Sequence, residues 1–338
     1  MLQFLTRVDA QLVRRHRLQQ LDEVRAGQLC LSLGRLGVAS AVWALPVLDA
    51  VLRRFRHSSV EILASPTVTA LLRMHCEDLG HPCLPTENHS QSLHIRLLPG
   101  AGLPRYRQKG SVHQLSLRMR GGRALGFAPL DQPAAAALQD CAFMAGFDPD
   151  GSPPRLRLPK QLQAVARHRY RTLCAAAGGP LIALLPAHNP RHSYGAERLW
   201  DVGQRLAARI GGTVIQLGGP PSRGPAVARA AQDAGLAAAL LHLCAVAISD
   251  DIGWAHVAAA VGAPVATVFT RNNPLRHGPV SRHSAVLWAS SSRCPHAVNK
   301  VGPLCRDCVS VEEVFVAAER VAAESWPRDR LRAWGLPL

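Results

Sequence analysis

Residues 248–279 read Ile248-Ser-Asp-Asp-Ile-Gly-Trp-Ala-His256, an Ala/Val run closed by Gly262-Ala-Pro264, then Val265-Ala-Thr-Val-Phe-Thr-Arg-Asn-Asn-Pro274 and Arg276-His-Gly-Pro279. In order these are a strand end, an acidic turn, a short apolar helix, a Gly-Pro stop, a buried strand and a polar loop. The turn Asp250-Asp251-Ile252-Gly253 opens the helix, and Gly253 lets backbone N–H groups approach a ligand closely. Donors in a first helical turn have no intrahelical partner and carry a partial positive charge, which suits a phosphate or pyrophosphate. Ala255, Ala258, Ala259 and Ala260 are small enough for close packing on a sheet. The next strand delivers Phe269 to Pro274 to the same carboxyl edge, where open α/β sheets bind ligands.

The same alternation continues outward. In the second half it predicts a helix over 160–176, a strand over 181–185, a loop from Pro186 to Tyr194 and a helix over 196–209. A strand over 213–217 then meets Gly218-Gly219-Pro220, followed by a helix over 225–234, an Ala/Leu stretch, a strand over 245–249, a helix over 254–261 and a strand over 265–269. In the first half, strands are expected at 28–33, 60–64, 93–98, 114–120 and 123–127. Helices are expected at 40–55, 67–75 and 131–146. Pro46 marks a kink or boundary in the first of these. Residues 1–26 read as a basic amphipathic helix, packed on its own domain rather than on a membrane. Arg155-Leu-Arg-Leu-Pro159 reads as a linker, giving domains 1–157 and 158–338. Alternating strands and helices imply parallel βαβ units, hence an α/β fold of two Rossmann-like domains with a cleft between them.

The 338 residues suit two domains, and 48% hydrophobic content allows sizeable cores. No apolar run reaches the roughly 18 residues of a membrane span, and the start lacks a signal-type apolar core, so a cytoplasmic protein is expected. The cysteines are odd in number and irregularly spaced, which argues for buried thiols over a disulfide framework. Lys plus Arg exceeds Asp plus Glu by 39 − 23 = 16, almost all of it arginine. Such a charge attracts anions, whether nucleic acid, acidic headgroups, nucleotide-sugars or phosphorylated glycans. No nucleic-acid-binding module is recognisable, so nucleic acid is not the expected partner.

With these pieces in place the chain resembles glycosyltransferase family 9, the ADP-heptose–lipopolysaccharide heptosyltransferases, from about Gln28 to Val321. The resemblance is strongest at the Asp-Ser/Thr-Gly-x-x-His segment, here Asp251-Ile-Gly-Trp-Ala-His256. It continues through Ala259–Pro264, the loop Phe269–Pro274, Gly278-Pro279, and Cys305-Arg-Asp-Cys308 before a closing helix. Leu217-Gly-Gly-Pro220 and Gly122–Phe127 fall at family-like places. What it implies is a GT-B arrangement of two Rossmann-like domains facing a cleft. The nucleotide-sugar lies on the C-terminal domain and the acceptor mainly on the N-terminal one. Transfer inverts the sugar and needs no nucleotide-bound metal. Two departures stand out. The places of the family's Gly-Asp, which supplies the general base, hold Ala39 and Ser40, and the Lys-x-Trp of its phosphate loop is Arg198-Leu-Trp200. A serine hydroxyl is too weak a proton acceptor near neutral pH to replace a carboxylate.

The donor-binding residues so implied are Asp251, Gly253, His256, Gly218, Gly219, Asn272, Arg271, Arg198, Arg191 and His192, with Ser40 at the base position. Each has a plainer reading. Asp251, with Asp250 beside it, caps a helix, and Ser40 caps another. His256 is a satisfied core histidine, Gly218-Gly219 a tight turn, and Arg198, Arg271 and Arg276 solvated charge. Asp49, Glu87 and His89 are candidate replacement bases. Cys294, His296, Cys305 and Cys308 offer a zinc-type ligand set, though Cys-x-His is unusually tight. The function expected is transfer of a sugar, heptose on the family's precedent, from an ADP-sugar to a lipopolysaccharide core or related anionic glycan or glycolipid, with brief contact at the inner membrane face. The alternative is a catalytically impaired homologue that binds nucleotide-sugar or partners an active transferase.

Overall fold

In the N-terminal unit, strands β1 (Gln28–Ser32), β2 (Ser59–Leu63), β3 (Ser92–Leu98), β4 (Arg105–Lys109) and β5 (Val112–Arg118) form one sheet in the order β2-β1-β3-β5-β4. All pairs are parallel except β4 with β5. The structure is a computed structural model, and it describes residues 11–12, 14–21, 28–33, 37–83, 92–98, 105–109, 112–118, 134–177, 179–189, 193–218, 233–270, 274–288 and 306–324. The chain divides into two compact units, Met1–Pro154 and Arg155–Leu338.

The expected helix over 40–55 is two helices, α1 (Val38–Trp43) and α2 (Leu45–Arg54), parted at Ala44. Pro46 lies in the first turn of α2, where its missing N–H forfeits no helical bond. Leu29, Leu31, Ile95 and Leu97 pack beneath Val47, Leu48 and Val51 of α2. Helix α3 (Pro66–Asp78) packs on β2 and α4 (Ala134–Met144) on β5. The Nε2 of buried His75 on α3 meets Asp49 Oδ1 on α2 at 2.8 Å, so Asp49 is engaged in holding two helices together. Residues 14–21 are helical, and the Arg14 guanidinium lies 3.7 Å over the Phe143 ring. That contact agrees with a helix packed on its own domain. Strand β4 was not expected. Arg105-Tyr-Arg-Gln-Lys109 shows no apolar alternation, and it is a strand because a two-residue connection folds it onto β5. The expected strand over 123–127 lies outside the described residues.

Among the described residues the C-terminal unit follows its expected alternation, except that the Ala/Leu stretch is itself a helix, Ala234–Leu243. The expected helix over 225–234 lies almost wholly outside the described residues. Its elements are α5 (Lys160–Ala177), β6 (Leu181–Leu185), α6 (Ala196–Ile210), β7 (Thr213–Gln216), α7 (Ala234–Leu243), β8 (Val246–Ser249), α8 (Ile252–Ala260), β9 (Val265–Val268), α9 (Pro274–His277), β10 (Ser284–Leu287) and α10 (Val311–Glu324). The sheet is wholly parallel in the order β10-β9-β8-β6-β7. β10 is too short and too mixed to have been read from sequence. Ile182, Leu184, Ile248 and Val268 form the core with Leu199, Val202 and Leu206 of α6 and Val314, Ala318 and Val321 of α10. Gly203 brings α6 down onto the sheet, since a Cβ there would lie 3.1 Å from the Leu184 side chain. The strand order reverses between β6 and β8, which makes their carboxyl ends the topological switch point of this sheet.

Candidate functional site

Leu185 and Ser249 are paired at the ends of β6 and β8, and everything that follows them is organised by the next residue, Asp250. Only 4% exposed, its Oδ1 accepts from the Ala187 N–H at 2.6 Å. Its Oδ2 accepts from the Ser193 hydroxyl and the Tyr194 N–H, both at 2.6 Å. The carboxylate therefore fixes both ends of the loop after β6. Burial pushes its pKa above the ordinary carboxylate range, and the donors around it pull the other way. Asp250 is thus a clamp between loops and not the neighbouring cap the sequence suggested.

The cap is Asp251. Its Oδ1 accepts from the Trp254 N–H at 3.0 Å, and the Gly253 N–H also points to this carboxylate. Burial raises its pKa, against those two bonds and the charge of nearby His188. This changes the chemistry expected at the turn. The first-turn N–H groups of α8 already face a carboxylate, so what this edge offers a ligand is an acceptor for hydroxyl protons more than a cradle for phosphate. Asp251 and Gly253 are both half-buried at the sheet's carboxyl edge. His188, exposed on the loop after β6, is the candidate hydrogen-bond donor that sequence reasoning missed. Its signal was available, because it lies in the Pro186–Tyr194 loop at the switch point.

Trp254 reaches across to the loop after β7. A Cβ on Gly218, whose φ is +108°, would lie 3.5 Å from the indole Nε1. Gly218 is thus needed for its backbone conformation, whereas the indole would meet a Cβ there at ordinary van der Waals contact. His256 sits one turn further along α8, 1% exposed, and its Nε2–H donates to the His277 carbonyl at 3.0 Å. Burial depresses its pKa to about 4, so it is a neutral core histidine pinning α9 to α8. Arg198, in the first turn of α6, bonds Asp307 Oδ1 at 2.9 Å with its guanidinium 5.3 Å over the Tyr194 ring. Ser40 is not the helix cap expected of it. Gly37 holds that place, and Ser40 is the third residue of α1, half-buried, its N–H donating to the Gly37 carbonyl. Gly219, Arg191, His192, Arg271, Asn272, Cys294, His296, Cys305, Glu87 and His89 lie outside the described residues. Among the described residues no three His, Cys, Asp or Glu side chains are grouped to hold a metal, and no helix is long and apolar enough to cross a membrane.

Residues 235–304, which contain this turn, match the model of glycosyltransferase family 9 (heptosyltransferase). No curated protein sequence matches the chain. Among solved structures it is similar to a glycosyl transferase family 9 protein from Veillonella parvula, at 15% identity and a TM-score of 0.57 over 89% of this chain and 98% of that one. It is also similar to the E. coli ADP-heptose lps heptosyltransferase II, at 12% identity and 0.56 over 88% and 99%. The E. coli heptosyltransferase WaaC with ADP aligns at 12% identity and 0.55 over 87% and 100%. The family resemblance read from the sequence holds on this segment, and the fold is the two-domain α/β fold of the GT-B kind.

Asp250→Ala strands the Ala187 and Tyr194 N–H groups and the Ser193 hydroxyl. Urea unfolding should show a loss of about 3 kcal/mol or more, against about 1 for Ser193→Ala. His256 acts through pH. Its folded pKa of about 4 lies below the unfolded value near 6.5, so the unfolded chain binds the extra proton in between. Stability from this group is whole above pH 6.5 and falls by about 3 kcal/mol as pH drops to 4, while Asp250 and Asp251, raised instead, favour the fold as they protonate. Urea melts at a series of pH values should lose that slope in His256→Gln.

Proposed function

We propose, from the family 9 segment at residues 235–304 and a fold shared with that family's solved structures, that this chain is a sugar transferase using a nucleotide-sugar donor. The donor is an ADP-sugar, heptose on the family's precedent. The acceptor is a hydroxyl of an anionic glycan or glycolipid, and the sugar is inverted. The observation that carries this reading is the carboxylate of Asp251, held half-buried at the switch point by the Gly253 and Trp254 N–H groups. Its remaining acceptor capacity suits a sugar hydroxyl. His188, exposed beside it, is a hydrogen-bond donor for the diphosphate, which departs as the acceptor oxygen bonds the anomeric carbon.

Calorimetric titration should find ADP-heptose bound more tightly than ADP-glucose or GDP-mannose. Asp251→Asn keeps a capping side chain, so its melting should stay near wild type while donor affinity drops roughly tenfold or more. Absence of binding by the wild type, or equal affinity for all three donors, refutes the donor assignment.

A second reading, an impaired homologue, rests on the sequence resemblance that puts Ser40 at the family's base position. The first turn of α1 carries no acidic residue. Ser40→Asp separates the two readings. A rise in transfer of roughly 100-fold, the scale of general-base catalysis, marks a chain that has lost its base. A fall marks a native site that works with serine in place.

A further inference from the structure

Two thiols stand at the C-terminal end of α3 with a turn between them. Cys76 lies buried in the last turn of the helix, and Cys83 follows the helix end, half-exposed; both are free. Gly80, at φ +83°, stops the helix in the left-handed region. Its N–H donates to the Glu77 carbonyl at 3.0 Å, and the His81 N–H donates to the Cys76 carbonyl at 3.0 Å. This pairing is a Schellman motif, which reverses the chain at the helix end. Cys83 Sγ accordingly comes to lie 3.8 Å from the carbonyl oxygen of Arg73, nearly one turn before Cys76.

Both sides of the turn are anchored. The Pro82 carbonyl accepts from the Val60 N–H at 3.0 Å, and Cys83 forms a one-residue parallel bridge with Val60 beside β2. Buried His81 donates from Nδ1 to the Ser58 carbonyl at 3.0 Å. On the helix side, His75 is held by Asp49. The two backbones are therefore fixed with their thiols in hydrogen-bond contact. Cys76 donates to the Cys83 sulfur, which holds Cys83 below its ordinary pKa, with Arg73 adding to this while burial and Glu77 oppose it. The same bond, and burial, push the Cys76 thiol up. One sulfur of the pair is thus accessible and inclined to the thiolate, and the other is sheltered and protonated.

We propose that Cys76 and Cys83 form a redox-active pair, in which a hydroperoxide oxidises Cys83 and Cys76 resolves the product to a disulfide. The Cys83 thiolate attacks a peroxide oxygen; an S–O bond forms, the O–O bond breaks and hydroxide leaves, giving a sulfenic acid. The Cys76 sulfur then attacks the Cys83 sulfur, and the oxygen departs as water with the Cys76 proton. Two cysteine sulfurs are oxidised to one disulfide, and the peroxide is reduced to water and hydroxide. A partner thiol already in contact diverts the sulfenic acid from further oxidation. Cys30, Cys141, Cys174 and Cys244 are buried, which shields them from the oxidant. The pair lies in the N-terminal unit, and the inference is independent of the donor reading.

Peptide mapping of the full chain tests it. Trypsin releases both cysteines in one peptide, residues 74–96, and cleavage after Glu77 parts them. After hydrogen peroxide treatment without denaturant, followed by alkylation, this peptide should be two hydrogens lighter than its unalkylated form. Its halves should stay joined after cleavage at Glu77, and dithiothreitol should separate them. In Cys76→Ser the resolving sulfur is gone, and a dimedone probe should trap the Cys83 sulfenic acid. Before any oxidation, iodoacetamide should label Cys83 roughly tenfold or more faster than Cys76. A disulfide that forms only in urea overturns the proposal, as does Cys83 joined to a different cysteine. So does Cys83 carried to sulfinic acid with Cys76 still a thiol, or faster labelling of Cys76 than of Cys83.

Discussion

The site depends on a buried carboxylate at the end of a strand. Asp250 stands where the sheet order reverses, and its two oxygens take up the backbone and hydroxyl donors of the loop that leaves the neighbouring strand. Loops at a switch point otherwise have little to hold them, since their backbone groups lie beyond the ladder. Burial raises the cost of the charge, and the short donor contacts at Ala187, Ser193 and Tyr194 offset it. The geometry of Asp251, Gly253 and His188 follows from that clamp, because it fixes the two chain segments that bear them.

Adjacent carboxylates thus take different tasks. Asp250 is spent inward on structure, whereas Asp251 faces the edge with one oxygen bonded to its own helix. His256 repeats the inward pattern, one turn of α8 away, by bonding the carbonyl of His277. Trp254 adds a wall against Gly218. The result is a turn that offers a ligand a carboxylate and an indole more readily than bare helix donors.

The N-terminal unit shows how a change of connection changes a surface. The β4–β5 hairpin pairs without a crossover helix, the face bearing Leu93, Ile95, Leu97, Leu115 and Leu117 is packed, and Arg96 and Arg107 are exposed on the other. The sequence carried the charge plainly, but Arg105–Lys109 lacks the alternation that marks a half-buried strand, so the pairing was invisible. The separation of α1 from α2 was legible, because proline's missing N–H acts locally.

What the chain's own letters determined was the order of elements in the C-terminal half and the turn at Asp250-Asp251-Ile252-Gly253, since periodicity, glycine stops and apolar runs act over a few residues. Tertiary structure alone decided which aspartate caps and which clamps, that His256 is neutral and internal, that Ser40 lies inside α1 and not at its cap, and that Asp49 is committed to His75. Each of those outcomes turns on a partner brought from another segment, or on burial, and neither is written in the spacing of neighbouring residues.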